Sequence, residues 1–237
     1  MSSLGPHLAR LTSITHLDLS EYGIGNVGAT SLGPHLAHLT SVQHMNLSFN
    51  IIGDVGAKLL GPHLAPLTSI QHLDLSRNSI GDVGASLLGP HLAHMTSIKQ
   101  LYLYSNRISG AECLWPYLAH LTSIQHLRLG DNRLRDHGVA KLGPHLAHLT
   151  SMQKLDLSYN SIGDDGVKSL GPHLRHVTSI QTLDLQSNEF DEKGVQSVGP
   201  HLANFRYSSA FFSATELLKA HTLEDELPGR NTAPSRL

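Results

Sequence analysis

One cysteine, one tryptophan and five phenylalanines in 237 residues leave little for a disulfide scaffold or an aromatic core. A lone Cys113 cannot form an intramolecular disulfide. Extracellular repeat proteins usually close their ends with disulfides, so a reducing, cytoplasmic setting is expected. Charge is scarce too: Asp, Glu, Lys and Arg make up 15% of the chain, with a net charge of −2 when histidine is neutral. No basic field exists to draw in nucleic acid or an anionic membrane, and neither is expected as a partner. No apolar run approaches the roughly 18 residues of a membrane-spanning helix, and the opening MSSLGPHLAR lacks a signal-peptide core. What the chain does have is 40% apolar residues, with Leu, Ile and Val as the bulky members, enough for an aliphatic core.

Internal self-similarity then dominates the reading. Residues Leu67 to His94 read LTSIQHLDLSRNSIGDVGASLLGPHLAH, and the same 28-residue pattern starts at Leu11, Leu39, Leu67, Leu121, Leu149 and Val177. A 26-residue version starts at Met95, with two residues missing after Ile108. Seven copies thus occupy residues 11–204, preceded by a partial copy over 1–10. Each has two halves with different periods. Leu73 and Leu75 alternate with His72, Asp74 and Ser76, the pattern of a half-buried strand. In the second half, Ala85, Leu88 and Leu92 recur at helical spacings, and Asp82 is placed to cap that helix. Pro90 cannot donate a backbone hydrogen bond and disfavours helical geometry at Gly89, so a kink or restart is expected at every Gly-Pro pair. One short strand and one helix cannot bury an apolar face alone, so neighbours must stack. Strands pack about 4.8 Å apart and helices about 10 Å apart, so the stack must curve with its strands inside.

The run Ile70-x-x-Leu73-x-Leu75-x-x-Asn78-x-Ile80 matches the leucine-rich-repeat signature. Its length and the GDxGA helix start resemble the ribonuclease-inhibitor-like class, and the linking LGPHLAHLTS resembles the repeat arrays of NOD-like receptors. The resemblance implies an α/β horseshoe solenoid, with parallel strands on the concave face and helices on the convex face. It also implies a protein-binding role, such as the sensing or autoinhibitory repeat region of an innate-immune-type receptor. The alternative is regulation of a small GTPase, by resemblance to Ran GTPase activators. Those proteins tend to carry an acidic tail and a dedicated arginine, whereas the tail here, HTLEDELPGRNTAPSRL, is only mildly acidic.

Asn50, Asn78, Asn106, Asn132, Asn160 and Asn188 recur at the turn, where stacked amides can bond the backbone of adjoining coils; Tyr22 takes this place in the first copy. Apparent chemistry elsewhere reduces to repetition. Gly23-Ile-Gly25-Asn-Val-Gly28 fits a dinucleotide fingerprint, but Gly25 and Gly28 belong to a turn that other copies share, so no cofactor is expected. The HxxH pairs, such as His91 and His94 or His145 and His148, were copied along with the repeat and lack Asp or Cys companions. They read as solvated convex-face residues rather than a metal site. Asn46-Leu-Ser48 matches a glycosylation acceptor by accident of a strand. Ser, His and Asp alternate along one face instead of converging, so no catalytic residue and no enzyme is expected.

Variable positions are the informative ones. Residues after the strand serine include Phe49, Arg77, Asp131 and Tyr159; those after the turn Asn include Arg107. On the strand, Tyr102, Tyr104 and Arg128 interrupt a run of Asp, Asn and Ser. Aromatic and Arg side chains on a concave surface are what interaction hot spots use, so these eight residues form the expected partner-binding surface. Drift at unconstrained positions is the competing reading. The pattern stops at Asn204, after which Ser213 and Glu216 open a possible cap helix within 205–227, with a flexible tail at 228–237. Eighteen histidines also predict acid lability, through repulsion between stacked equivalents.

Overall fold

The computed structural model describes residues 5–110 and 114–201. Cys113 and the expected cap helix and tail at 205–237 lie outside them. Strands β1 (His16–Asp18), β2 (His44–Asn46), β3 (His72–Asp74), β4 (Gln100–Tyr102), β5 (His126–Arg128), β6 (Lys154–Asp156) and β7 (Thr182–Asp184) pair in chain order. They form one parallel sheet in strict repeat register, so His16, His44, His72, Gln100, His126, Lys154 and Thr182 are neighbours in turn. The middle residue of each strand is buried, while its neighbours face the open concave side.

The helical layer consists of α1 (Gly5–Leu8), α2 (Gly25–Leu36), α3 (Gly53–Leu64), α4 (Asp82–Leu92), α5 (Trp115–Leu118), α6 (Arg135–Leu146), α7 (Asp164–Leu174) and α8 (Glu192–Val198). Its inward faces, for example Ala57, Leu60 and Leu64 of α3, close a continuous aliphatic core against the sheet. The result is a curved solenoid.

The expected break at Gly-Pro is not found in five copies. Helices α2, α3, α4, α6 and α7 run straight through Pro34, Pro62, Pro90, Pro144 and Pro172. Each proline stands only two residues before its helix ends, so one hydrogen bond is lost per helix. The carbonyls it would have reached belong to Thr30, Lys58, Ser86, Ala140 and Lys168, none of them buried, where water can serve. The last copy changes at this point, passing into a 3-10 turn at Gly199–His201, and in the fourth copy α5 begins at Trp115, just before Pro116.

Asp82 does not cap its own helix. Gly81 is the N-cap of α4 and makes no side-chain cap bond; the Asp82 carboxylate accepts instead from the N–H groups of Ser109 (2.8 Å) and Gly110 (3.2 Å) in the next copy. Asp54 likewise accepts from Gly81 and Gly84, Asp136 from Gly163, and Asp164 from Asp191 and Gly194. In copies two, three, five and six the helix-start aspartate therefore ties its coil to the successor. The asparagines do the same deeper in. Asn78 Oδ1 accepts from the N–H of Asn50 and Ile52, while its Nδ2 donates to the carbonyls of Leu47 and Leu75.

In the shortened fourth copy, Trp115 stands where other copies have the glycine of Gly-Pro-His, and it is fully buried. Its indole N–H has no hydrogen-bond partner among the described residues.

Candidate protein-binding face

The concave face has an internal rule. In copies one, two, three, six and seven the second outward strand position is Asp18, Asn46, Asp74, Asp156 and Asp184. Each accepts, through Oδ1, the backbone N–H two residues on, at 2.8–3.0 Å. In three of them the serine hydroxyl donates to the same oxygen. These side chains close their own turns. The Ser20 N–H and hydroxyl accordingly hold the Asp18 carboxyl below the usual carboxylate range.

Copies four and five abandon the rule together. Asp-x-Ser becomes Tyr102-x-Tyr104 and then Arg128-x-Gly130, so two adjacent coils exchange a local turn bond for rings and a guanidinium. The Arg128 Cζ lies 4.7 Å from the centre of the Tyr102 ring. On its other side Tyr102 meets the His72 imidazole edge-on at 4.8 Å, and its hydroxyl donates to Gln100 Oε1 at 2.9 Å. Arg77 lies between two rings, with Cζ 4.8 Å from Phe49 and 5.9 Å from Tyr104. Gly130 is buried against the next coil: a Cβ there would come within 2.7 Å of Asp156 Oδ1 and Ser158 Oγ. Burial pushes the Tyr102 and Tyr104 phenols up and His72 down, so the cluster presents neutral hydroxyls and a neutral imidazole beside two fixed cations.

Of the eight residues expected to bind, the fold brings Phe49, Arg77 and Tyr104 into one group and Tyr102 and Arg128 into another. Asp131 and Tyr159 belong to the surroundings of Tyr104, whose phenol is raised first by burial and then by the Asp131 carboxylate. Arg107 is in neither group: it lies beyond the turn Asn, with its backbone N–H donating to Ile80 O. His72, Gln100 and Gly130 complete the site, and residue type alone did not point to them. Loss of the Asp-x-Ser pair was the signal that could have found them. Phe49, Arg77, Ser105, Asp131 and Tyr159 all hold left-handed backbone, φ between +50° and +58°, without being glycine.

Two other features are weaker as sites. A cleft of about 540 Å³ beside copy four is lined by Asp82, Ser109, Arg133, Arg135 and His137, but Asp82 is already engaged with Ser109 and Gly110. The His16 and His44 rings stack in parallel at 4.4 Å, yet no group of three potential ligands suits a metal among the described residues. Nor is any described helix long and apolar enough to cross a membrane.

No curated protein matches this sequence. Among solved structures, internalin C2 of Listeria monocytogenes aligns with a TM-score of 0.55 and 24% identity, covering 84% of this chain and 82% of its own. A leucine-rich-repeat protein of Leptospira interrogans aligns with a TM-score of 0.58 and 18% identity, covering 84% of this chain and 50% of its own. These likenesses speak to the fold. The leucine-rich-repeat family profile matches residues 10–33, 38–61, 67–89, 120–143, 148–171 and 173–199, passing over the fourth copy that carries Tyr102 and Tyr104. With that profile over more than half its length and one parallel strand per coil, the chain belongs to the leucine-rich-repeat family.

Proposed function

We propose that this protein is a recognition module that binds another protein on its concave face, centred on copies two to five. The paired departure of copies four and five from the Asp-x-Ser rule carries this reading. Five coils spend that position on their own turns, and the two that do not place Tyr102, Tyr104 and Arg128 side by side. Tyr and Arg held against one another lose little side-chain freedom on binding, which favours hot-spot energetics. The linking LGPHLAHLTS supports a place in the sensing region of a cytoplasmic innate-immune-type receptor, within the ribonuclease-inhibitor-like class. No observation favours the alternative, regulation of a small GTPase.

Affinity capture with quantitative mass spectrometry tests the reading. Proteins recovered with the native chain should be lost with a Tyr102→Ala/Tyr104→Ala variant and retained with His94→Ala/His148→Ala on the exposed helical side. Each true hot-spot truncation should weaken binding by about 1–3 kcal/mol. Equal loss from both variants would place recognition elsewhere.

A further inference from the structure

The charges of the concave face are ordered, and the order specifies a ligand. Along the second outward column run Asp18, Asn46, Asp74, Tyr102, Arg128, Asp156 and Asp184. Arg77 adds a cation near the middle, and Glu21 adds an anion beside Asp18 in copy one. On these two columns the cations stand only in the central copies, where Arg77 and Arg128 balance Asp74 and Asp131 among the rings, and copies one, six and seven carry acid alone.

Arg128 decides how that order is used. It stands in register between Tyr102 and Asp156, and it turns to the ring. Asp156 meanwhile is held by the Ser158 N–H (3.0 Å) and hydroxyl (2.6 Å). Among the described residues neither Arg77 nor Arg128 makes an ion pair or a side-chain hydrogen bond. Stacking occupies the flat face of a guanidinium and leaves its N–H edge, the part shaped to grip a carboxylate with two parallel bonds. Two such edges are thus held in place, with rotamers restrained by Phe49, Tyr104 and Tyr102, and neither is satisfied within the face. At the far end Asp156 and Asp184 are paired across adjacent strands, with Lys154 on the first outward column of the same strand β6. Burial, reinforced by the Asp156 charge, raises the Asp184 carboxyl above its ordinary value. That is a site a cation would relieve.

We infer that the concave face reads a polypeptide segment of its partner by charge order: carboxylates at the centre, gripped by Arg77 and Arg128, and cations toward both ends, over Asp18 and Glu21 on one side and Asp156 and Asp184 on the other. The inference rests on the protein-binding reading above and names the chemistry of its ligand. Seven strands about 4.8 Å apart span roughly 29 Å, which an extended segment of about nine residues crosses. A uniformly acidic ligand is disfavoured by both ends, and a uniformly basic one leaves the two guanidinium edges without a partner.

Two synthetic peptides of about eleven residues and identical composition test this order. One has two central glutamates and two lysines at each end. The other exchanges the glutamates with two of the lysines, placing cations at the centre and anions in the flanks. Titration into the 237-residue chain, followed by calorimetry and backbone NMR shifts, gives affinity and location together. The central-glutamate peptide should bind at least tenfold more tightly, with shifts on β3 to β6. Arg77→Ala/Arg128→Ala should abolish the difference, and Arg128→Lys, which keeps the charge but not the fork, should weaken binding several-fold. Asp156→Asn/Asp184→Asn should reduce the preference while leaving the fold intact. Equal binding of the two peptides, or binding of neither, overturns the charge order. Concave-face shifts without preference would overturn the order alone and uphold the protein-binding reading. Shifts confined to the helical side would overturn that reading as well.

Discussion

His173 of the sixth copy lies against Gly143 of the fifth: a Cβ on that glycine would come 2.6 Å from His173 Cδ2. The same contact joins Gly61 to His91 and Gly171 to His201, while Tyr117 replaces histidine over Gly89. His91 and His173, each the first histidine of an HxxH pair, are therefore half-buried packing residues rather than solvated ones, which corrects the sequence expectation for these pairs. Gly-Pro-His recurs because its glycine receives the next coil's ring. Gly143→Ala should destabilise the chain by about 1–3 kcal/mol through overpacking. Removing the ring as well, in Gly143→Ala/His173→Ala, should recover part of that stability, because the two residues meet at one place. Urea denaturation of the two single variants and the double variant checks this; strictly additive effects would disprove the coupling.

The asparagine ladder gives a second expectation. Asn78 is fully buried and bonds to backbone groups on both copies two and three, whereas Asn188 at the far end is only part-buried. Leaving buried backbone groups unsatisfied costs about 1–3 kcal/mol each. Asn78→Ala should thus lose several kcal/mol, and Asn188→Ala distinctly less because water reaches its turn. Thermal denaturation of both variants measures the gap; equal losses would show that burial does not grade the ladder.

Helix-start aspartates make a third. Asp54 Oδ1 accepts from the N–H of Gly81 (2.7 Å) and Gly84 (3.0 Å), so it caps the helix of the following copy. Asp54→Ala should cost about 1 kcal/mol, as loss of a helix cap does, and Asp54→Asn should cost less because its amide oxygen can still accept. Hydrogen exchange should show the loosening at the start of α4 rather than of α3. Loosening of α3 alone would contradict a cap acting across copies.

How far the sequence reaches is clear at these positions. The 28-residue register placed Leu73 inward and His72 and Asp74 outward, because a period of two leaves no other arrangement once one face is buried. It also carried the Asn series to the turns. It misread Pro90, whose place near the helix end was not weighed, and Asp82, because that reading considered one coil at a time. The proline is tolerated because its lost bond falls near the helix end and at the surface, and the aspartate looks to its neighbour. Periodicity gives no account of contacts between copies. The candidate face was half visible: Tyr102, Tyr104 and Arg128 stood out by residue type, but His72 and Gly130 matter through which side chains face them.

Acid should weaken the fold, for a reason other than histidine crowding alone. His72, His91, His126, His145 and His173 all fall below the ordinary value of 6.5, with burial as the first cause; neighbouring histidines or cations add to it, while at His72 the Asp74 carboxylate opposes it. The fold thus prefers the neutral ring. A depressed histidine contributes fully above the unfolded value of about 6.5, and that contribution is lost as pH falls below it toward the folded values. The melting temperature should drop between pH 7 and 5 and be level above pH 7.5. His145→Gln should flatten part of the slope. A slope that survives replacement of all five would place its origin in other groups.

Backbone strain offers a last test, and a measure of the Arg77 stack. Ile51 is β-branched, 72% exposed and held at φ +53°, a region that costs an ordinary L-residue about 1–2 kcal/mol. Asn tolerates this conformation, and a side chain so exposed gives up little apolar packing. Ile51→Asn should therefore raise stability by about 0.5–1 kcal/mol. Phe49 has the same conformation, φ +58°, but its ring carries the Arg77 guanidinium at 4.8 Å. A cation–π pair at an exposed site contributes about 0.5–1 kcal/mol. In Phe49→Asn the relieved strain and the missing stack should nearly cancel, leaving the melting temperature almost unchanged. In an Arg77→Ala background the stack is already absent, and Phe49→Asn should then stabilise the chain as Ile51→Asn does. If Phe49→Asn has the same effect with Arg77 present or absent, the ring and the guanidinium are not coupled in solution, and the arginine edge on the concave face is free to move.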